Sequence, residues 1–400
     1  MDSTSPLLRE AFAIAETFAR KTLLPRLHEL EQQGGAPVTK SASPGEGVPL
    51  VTLFRDLADR LGLAPLAADA AQDPAANDGL LADHALGASL MGPLTRVCPG
   101  FALSFGASLG LCGQSLLRKG TPAQRARFAR PVLAFEKVGC WAITEPEAGS
   151  DAFSLRTQAL KVAGGWELKG EKCFITNAPI ADTFVVYARV AGTGSALDGQ
   201  IRHFVLERGD AGLTTSGPIS KMGMRASPTG SIFLGDVRVP DDRLIGDPEE
   251  SGKRAALETL LGERAALAAM AAAVIEESLT LALAYAKERK QFGQPIASYQ
   301  AVQLRLARMY AAQETVRALI DRTGLLQASG DLSLAYLCAA KYTASTLATQ
   351  AAMEAVQILG GAGYTTELRV EGLARDAKLL EIGGGTSDIQ LLAVAREILK

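Results

Sequence analysis

Histidine is almost missing from this chain: His28, His84 and His203 are the only three in 400 residues, and they lie far apart in sequence. That scarcity disfavours a histidine-rich metal centre and a histidine-based nucleophilic triad. Cysteine is scarce as well. Cys98, Cys112, Cys140, Cys173 and Cys338 are odd in number, scattered and without CxxC spacing, so neither a disulfide framework nor a zinc site is expected, and a reducing compartment fits best. No charge of one sign dominates: the net charge is -2 and the pI near 6.1, which gives no field to gather nucleic acid or an anionic membrane. The start, MDSTSPLLREAF, lacks the basic-then-apolar pattern of a secretory signal. The most apolar run, Ala265 to Ile275, is too short to span a bilayer and is closed by Glu276 and Glu277. The expectation is a cytoplasmic protein with no metal, no nucleic-acid partner and no membrane insertion.

What is present changes texture twice. Residues 6 to 31 read as an amphipathic helix with Leu7, Phe12, Ala15 and Phe18 on one side, interrupted at Pro25. A Gly/Pro/Ser-rich loop follows from Gly34 to Pro49, then a helix from Leu50 to Leu63, a turn-rich stretch (AADAAQDPAANDG) to Gly79, and a Leu/Ala/Gly-rich helical region to Lys119. Thr121-Pro122 is the N-cap and first position of a short helix ending near Leu133. Between Val138 and Leu244, short β-branched and aromatic runs alternate with Gly, Asn and Pro turns, which argues for a compact antiparallel sheet or barrel. The helical period then returns to Lys400, with breaks at Gly293–Pro295, Gly330–Asp331 and 360–366, and reads as a four-helix bundle. The expected class is therefore a multidomain α+β protein: a helical domain at 1–137, a β-barrel domain at 138–246 and a four-helix bundle at 247–400.

One helix stands out, from Leu257 towards Pro295. Leu260, Leu267, Met270 and Val274 form a stripe at helical period that should face a core. Glu263 falls on that stripe, so a carboxylate points where the pattern asks for an aliphatic side chain. Such a group must be paired, hydrogen-bonded or shifted in pKa, and an internal ion pair is as good a reading as a site. The helix ends in Lys287, Arg289 and Lys290, then Phe292-Gly293. The 26 residues from Glu263 to Arg289 span roughly 40 Å at the helical rise, too far for one small ligand to touch both ends in a single copy.

Three other clusters suggest chemistry. Thr144 to Asp151 (TEPEAGSD) is a polar turn after Trp141, Ala142 and Ile143, with small residues that leave backbone N–H groups free for a polar ring edge or phosphate. In GEKCFITNA, Phe174 and Thr176 alternate onto one strand face, where a core aromatic is the default. ILGGAGYTTE and RDAKLLEIGGGTSDIQ interrupt helices with glycine, and Gly383-Gly384-Gly385 before Thr386-Ser387-Asp388 reads as a loop opening a capped helix able to hold an anion. Neither glycine cluster is the dinucleotide fingerprint, because neither follows a strand in a βαβ unit.

With KMGMRASPTG and ERKQFGQPI, these motifs stand in an order that resembles the acyl-CoA dehydrogenase family over about residues 118 to 400. The resemblance implies helical, β-barrel and four-helix-bundle domains, a non-covalent FAD, an acyl-CoA substrate and electron-transfer flavoprotein as acceptor, in a homodimer or homotetramer. It implies Trp141, Ile143, Thr144, Phe174 and Thr176 around the isoalloxazine and Ser150 near flavin and substrate. Arg289, Phe292, Gln357 and Gly361 would meet the FAD of a neighbouring subunit, with Thr386 and Asp388 completing the dinucleotide site. Arg264 matches a residue on the pantetheine arm, although the acidic neighbour usual before it is Leu261 here.

The departure concerns the base. Most of the family carry Glu where this chain has Gly384, whereas the isovaleryl-CoA and long-chain branch places the base on the long helix. The matching position there is Glu263, the residue already misplaced in the stripe, with Glu381 read as structural. The backbone N–H of Gly384 would remain as a donor to the thioester carbonyl. The reaction implied is α,β-dehydrogenation of an acyl-CoA to the trans-2-enoyl-CoA. A carrier-protein-bound thioester, a flavin monooxygenase or a catalytically silent subunit are the alternatives; the unusual AADAAQDPAAND segment leaves the acyl group open.

Overall fold

The computed structural model describes residues 6–33, 49–76, 81, 85–247 and 252–400. Of the expected loop from Gly34 to Pro49, residues 34–48 lie outside these, as do the last residues of the turn-rich stretch, while Pro49 opens a helix. By internal contacts the chain forms two units, one of Met1–Leu90, Phe101–Ser220 and Arg225–Leu260, the other of Met91–Gly100, Lys221–Met224 and Leu261–Lys400.

The helices of the N-terminal part are α1 (Pro6–Phe18), α2 (Leu27–Gln33), α3 (Pro49–Arg60), α4 (Leu63–Gln72), α5 (Ala85–Val97), α6 (Pro99–Gly106), α7 (Gln114–Lys119), α8 (Pro122–Gln124) and α9 (Arg130–Leu133). In α1 the buried side is Ala11, Ala15 and Phe18, while Leu7 and Phe12 are exposed. The expected face is therefore corrected in part: Ala15 and Phe18 are on the buried side with Ala11, and Leu7 and Phe12 are not. Helix α4 also runs through Ala67 to Gln72, where a turn had been expected. An aromatic cluster fills this part of the first unit, with Phe54 ringed by Phe101, Phe105 and Phe135 at centroid distances of 5.0, 5.7 and 5.6 Å. The capping box at Thr121 forms as the sequence indicates: its hydroxyl accepts from Gln124 N, and the Gln124 side chain accepts from Thr121 N.

Seven strands follow: β1 (Gly139–Ala142), β2 (Gln158–Val162), β3 (Gly165–Thr176), β4 (Thr183–Ala191), β5 (Ile201–Glu207), β6 (Leu213–Thr215) and β7 (Thr229–Pro240). The sheet lies within the expected limits but is mixed, in the order β1-β4-β2-β3-β7-β6 with β5 also on β4. The β1–β4 and β2–β4 pairings are parallel, so β1 and β2 lie end to end along one side of β4. That makes β4 central and explains its nearly continuous burial. Gly139 is where β1 meets the helical layer: a Cβ there would stand 2.6 Å from Cys112 Sγ. All five cysteines are buried free thiols.

The long helix α10 (Gly252–Glu288) leads to a hairpin of β8 (Lys290–Gln291) and β9 (Gln294–Pro295), then to α11 (Gln300–Ser329), α12 (Leu334–Leu359), α13 (Gly361–Tyr364), α14 (Val370–Ile382) and α15 (Ser387–Ile398). By length and composition, α10 and Pro99–Lys119 could each cross a membrane, contrary to the short-run reading; 61% and 78% of their most apolar windows are buried inside the protein. In the second unit α12 packs on α11, α14 and α15 through a stripe of small residues, Ala340, Ala344, Ala348, Ala351, Ala352 and Ala355. Leu267, Met270 and Val274 of α10 are buried as the stripe requires, whereas Leu260 is half-buried. The KMGM turn docks on α14, where Met224 N donates to Asp376 and a Cβ on Gly223 would strike Arg375 O at 2.3 Å.

Candidate active site

In the second unit, Glu263 sits beside the glycine loop that joins α14 to α15. A Cβ placed on Gly384 would lie 3.5 Å from Glu263 Cδ, 3.6 Å from its Cγ and 2.7 Å from Leu267 Cδ1. Gly384 itself has φ +62°, a region that favours glycine. The residue is half-buried, with its carboxyl surrounded by protein. It makes no hydrogen bond or ion pair among the described residues. Burial pushes its pKa above the ordinary carboxylate range, against the opposing pull of Arg264 and Lys341. The equal alternative from sequence, an internal ion pair, is thus not formed.

The charges around it are arranged unequally. Arg264 is only 8% exposed, its Nε has no partner, and no ion pair to it forms among the described residues. Lys341, on α12 and fully buried, donates from Nζ to Gly385 O at 2.9 Å. Its pKa is held down to about 8, chiefly by burial, with Glu263 raising it, Arg264 lowering it, and Glu381 and Cys338 raising it. Glu381 is engaged: it accepts from Thr349 Oγ1 at 2.5 Å and from Lys378 Nζ at 3.1 Å. Thr386 is the N-cap of α15, accepting from Ile389 N at 3.4 Å, while Asp388 is exposed in its first turn.

In the first unit, Trp141 and Ile143 are buried near the end of β1, Thr144 is half-buried and Ser150 exposed. The turn between them is closed by Glu145 N to Ala148 O and Ala148 N to Glu145 O, so two of its N–H groups are already used. The Trp141 Nε1–H is buried beside the Tyr187 ring and makes no well-formed hydrogen bond among the described residues. Phe174 is not the core aromatic expected: it is 70% exposed with φ +57°. The register of β3 against β7 shifts between Lys172 and Ile175, and this bulge swings Phe174 out of the alternation. Thr176 is half-buried at the strand end.

Beneath these residues is a pair that motif reading passed over. The Glu145 carboxylate accepts from Arg156 N (2.6 Å), Thr157 N (2.9 Å), Thr157 Oγ1 (2.5 Å) and the fully buried Lys172 Nζ (2.7 Å). Lys172 also donates to Ile143 O at 3.2 Å, tying the β1 end to β3. A charged residue at an inward position of a strand was the available signal. His203 is no acid or base near neutrality, since burial first, then Arg202 and Lys119, push its pKa down to about 3.

At the far end of α10, Arg289 is exposed and makes no ion pair among the described residues. Phe292 and Gly293 form the two-residue hairpin turn with φ +50° and +83°. Asn would be the easy residue at the first of these positions; a Phe there, 95% exposed, gains no burial in exchange for its strain. Gln357 and Gly361 are exposed about the end of α12 and the start of α13.

Residues 140–237 match the family model for the acyl-CoA dehydrogenase middle domain, and residues 250–399 that for the acyl-CoA dehydrogenase C-terminal domain. A probable acyl-CoA dehydrogenase of Bacillus subtilis is 37% identical over 389 residues, covering 97% of this chain and 96% of the relative. A mitochondrial isovaleryl-CoA dehydrogenase of Arabidopsis thaliana is 37% identical over 315 residues, 78% and 75% of the two chains. The solved structure of butyryl-CoA dehydrogenase from Megasphaera elsdenii superposes with a TM-score of 0.87 at 30% identity, over 100% of this chain and 99% of that one. The chain therefore belongs to the acyl-CoA dehydrogenases, a family of FAD-dependent oxidoreductases acting on CH–CH groups.

Proposed function

We propose that this enzyme removes the α proton of an acyl-CoA with Glu263 while the β hydrogen leaves with its electron pair, giving the trans-2-enoyl thioester. The observation that carries this reading is the proximity of Glu263 to Gly384. The space a loop carboxylate would need is held by Leu267 and Glu263 themselves. A second observation supports it: the carboxyl has no hydrogen bond or ion pair among the described residues, and burial outweighs the pull of Arg264 and Lys341, which favours its taking up a proton.

The residues fit a flavin dinucleotide. Phe174 and Phe292 are exposed aromatics in strained backbone, Trp141 is a buried indole at the end of β1, Arg289 is an exposed cation with no ion pair among the described residues, and Thr386 caps a helix start suited to an anion. When bound, FAD supplies the acceptor for the β hydrogen and its electron pair. Trp141, Ile143, Thr144, Phe174 and Thr176 would border its ring, with Ser150 at the ring and substrate. Arg289, Phe292, Gln357 and Gly361 would hold the pyrophosphate and adenosine of a second copy's FAD, and Thr386 and Asp388 would complete that site. The length of α10 between Glu263 and Arg289 supports this sharing, and hence a homodimer or homotetramer.

Glu263 takes the proton from the α carbon onto its carboxylate, and the charge left behind moves to the thioester oxygen. The Gly384 N–H donates to that oxygen. Bound substrate excludes water from Glu263, which raises its basicity at the moment of transfer. Arg264, buried and without an ion pair, would take the pantetheine arm. Electron-transfer flavoprotein as acceptor, a cytoplasmic location consistent with five free thiols, and the three-domain division at 137 and 246 complete the reading. Leu261 favours one second reading, a carrier-protein-bound thioester.

Anaerobic flavin bleaching with a panel of acyl-CoAs tests this. Bleaching by the wild type and none by Glu263→Gln is expected. Bleaching only by carrier-bound acyl groups would move the substrate to the second reading, and oxygen uptake driven by NAD(P)H would make the enzyme a monooxygenase. No bleaching by any thioester would leave a silent subunit.

A further inference from the structure

The glycine loop at 383–385 has no side chains with which to hold itself, yet a donor in it must point at the substrate. Its peptides are instead anchored from outside. Gly383 N donates to Leu379 O at 2.8 Å, which fixes the peptide before Gly383. Gln390, the buried residue of α15, donates from Nε2 to Gly384 O and to Gly385 O, each at 2.9 Å. Lys341 Nζ reaches Gly385 O from α12, also at 2.9 Å. Between these anchored units stands the peptide joining Gly383 to Gly384, and neither its C=O nor its N–H has a partner among the described residues. Fixed neighbours on both sides set its direction and leave its donor open.

We propose that Lys341, with Gln390, is a positioning residue for the reaction: it holds the Gly383–Gly385 loop so that the Gly384 N–H and the Glu263 carboxyl keep their mutual placement. This rests on Glu263 being the base. A buried ammonium is costly to keep, and a neutral side chain could fill the same space between Ala340 and Ala344. The expense is explained by two jobs that one long cation does together. It anchors the Gly385 carbonyl, which it shares with Gln390 among the described residues, and its charge acts on Glu263. The groups facing it are Glu263 and Arg264 from α10, Glu381 from α14 and Cys338 one turn before it on α12.

The test uses the FAD-loaded enzyme and two readouts: the pH dependence of flavin reduction by an acyl-CoA, and amide hydrogen exchange of the peptide spanning 383–386. Lys341→Met should lower the reduction rate about 10- to 100-fold with KM changed about threefold or less, and speed loop exchange. With the cation gone, the acid limb of the profile should move up by about one pH unit. Lys341→Arg should restore the acid limb. Gln390→Leu, which keeps the cation, should slow reduction and loosen the loop with the acid limb unmoved. Wild-type rate and loop exchange in Lys341→Met would overturn the proposal; if that variant does not fold, the same result in Gln390→Leu would do so. Glu263→Gln separates the two ideas: if it is inactive while the Lys341 and Gln390 variants behave as wild type, the positioning proposal alone fails. Full turnover by Glu263→Gln would bring down the base reading and the proposal with it.

Discussion

Two enclosed glutamates in this protein face opposite ways chemically. Glu145 in the first unit is met by four donors, and although burial alone would raise its pKa, the hydrogen bonds from Arg156, Lys172 and Thr157 outweigh it and hold the carboxyl below its ordinary value. Glu263 in the second unit is met by none, and burial pushes it up. The same side chain is a fastener in one place and, in the proposed mechanism, a proton acceptor in the other, and the difference is made by the donors around it. A carboxylate whose charge is fully satisfied has little affinity left for a proton. One left without donors is available for chemistry.

That contrast orders the expected effects. Glu263→Gln should lower the rate of α-proton abstraction about 10³- to 10⁴-fold, measured by anaerobic flavin reduction, with the fold intact by circular dichroism. Lys172→Met should do the reverse: about 3–5 kcal/mol of stability lost in urea unfolding, because it leaves Glu145 buried with its countercharge removed, and activity falling only as far as flavin is lost. Gly384→Ala should cost about 1–3 kcal/mol, since its φ is +62° and the added Cβ meets Leu267 at 2.7 Å. Arg289→Ala should weaken FAD retention by about tenfold, read by equilibrium dialysis of the flavin; tight retention would count against a shared site.

The smallest effect concerns pH. A carboxyl whose folded pKa is raised costs stability above its ordinary value, where the unfolded chain is ionised freely and the folded one is not. Glu263→Gln should therefore raise the melting temperature by about 2 °C near pH 7, and the gain should vanish as pH falls below the ordinary carboxylate range. Glu145→Gln should show the opposite sign: a loss of stability at neutral pH that shrinks on acidification.

How much of this could be read from the sequence depends on whether the signal was local. The carboxylate on the apolar stripe of α10 was legible because helical period is local, and so were the caps at Thr121 and Thr386. Lys341 stands among buried alanines and could have been flagged by the same logic. Phe174 could not be placed, because a bulge between Lys172 and Ile175 breaks the alternation on which strand faces are read. The parallel pairings of β4 with β1 and β2 depend on contacts between distant segments and leave no mark in spacing. In α1 the spacing places Ala15 and Phe18 correctly but not Leu7 and Phe12, whose exposure depends on what the helix packs against. The partners of Lys341 and Gln390 are backbone carbonyls, which carry no residue type to recognise.

The account stands on the unpaired carboxyl of α10 being the group that takes the α proton. Exchange of the thioester α hydrogens into D2O, followed by proton NMR on the FAD-loaded enzyme, reads that event alone, apart from hydride transfer and reoxidation. Exchange should be rapid with the wild type and reduced to the buffer rate with Glu263→Gln. Undiminished exchange with Glu263→Gln would contradict the account and send the search for the base elsewhere.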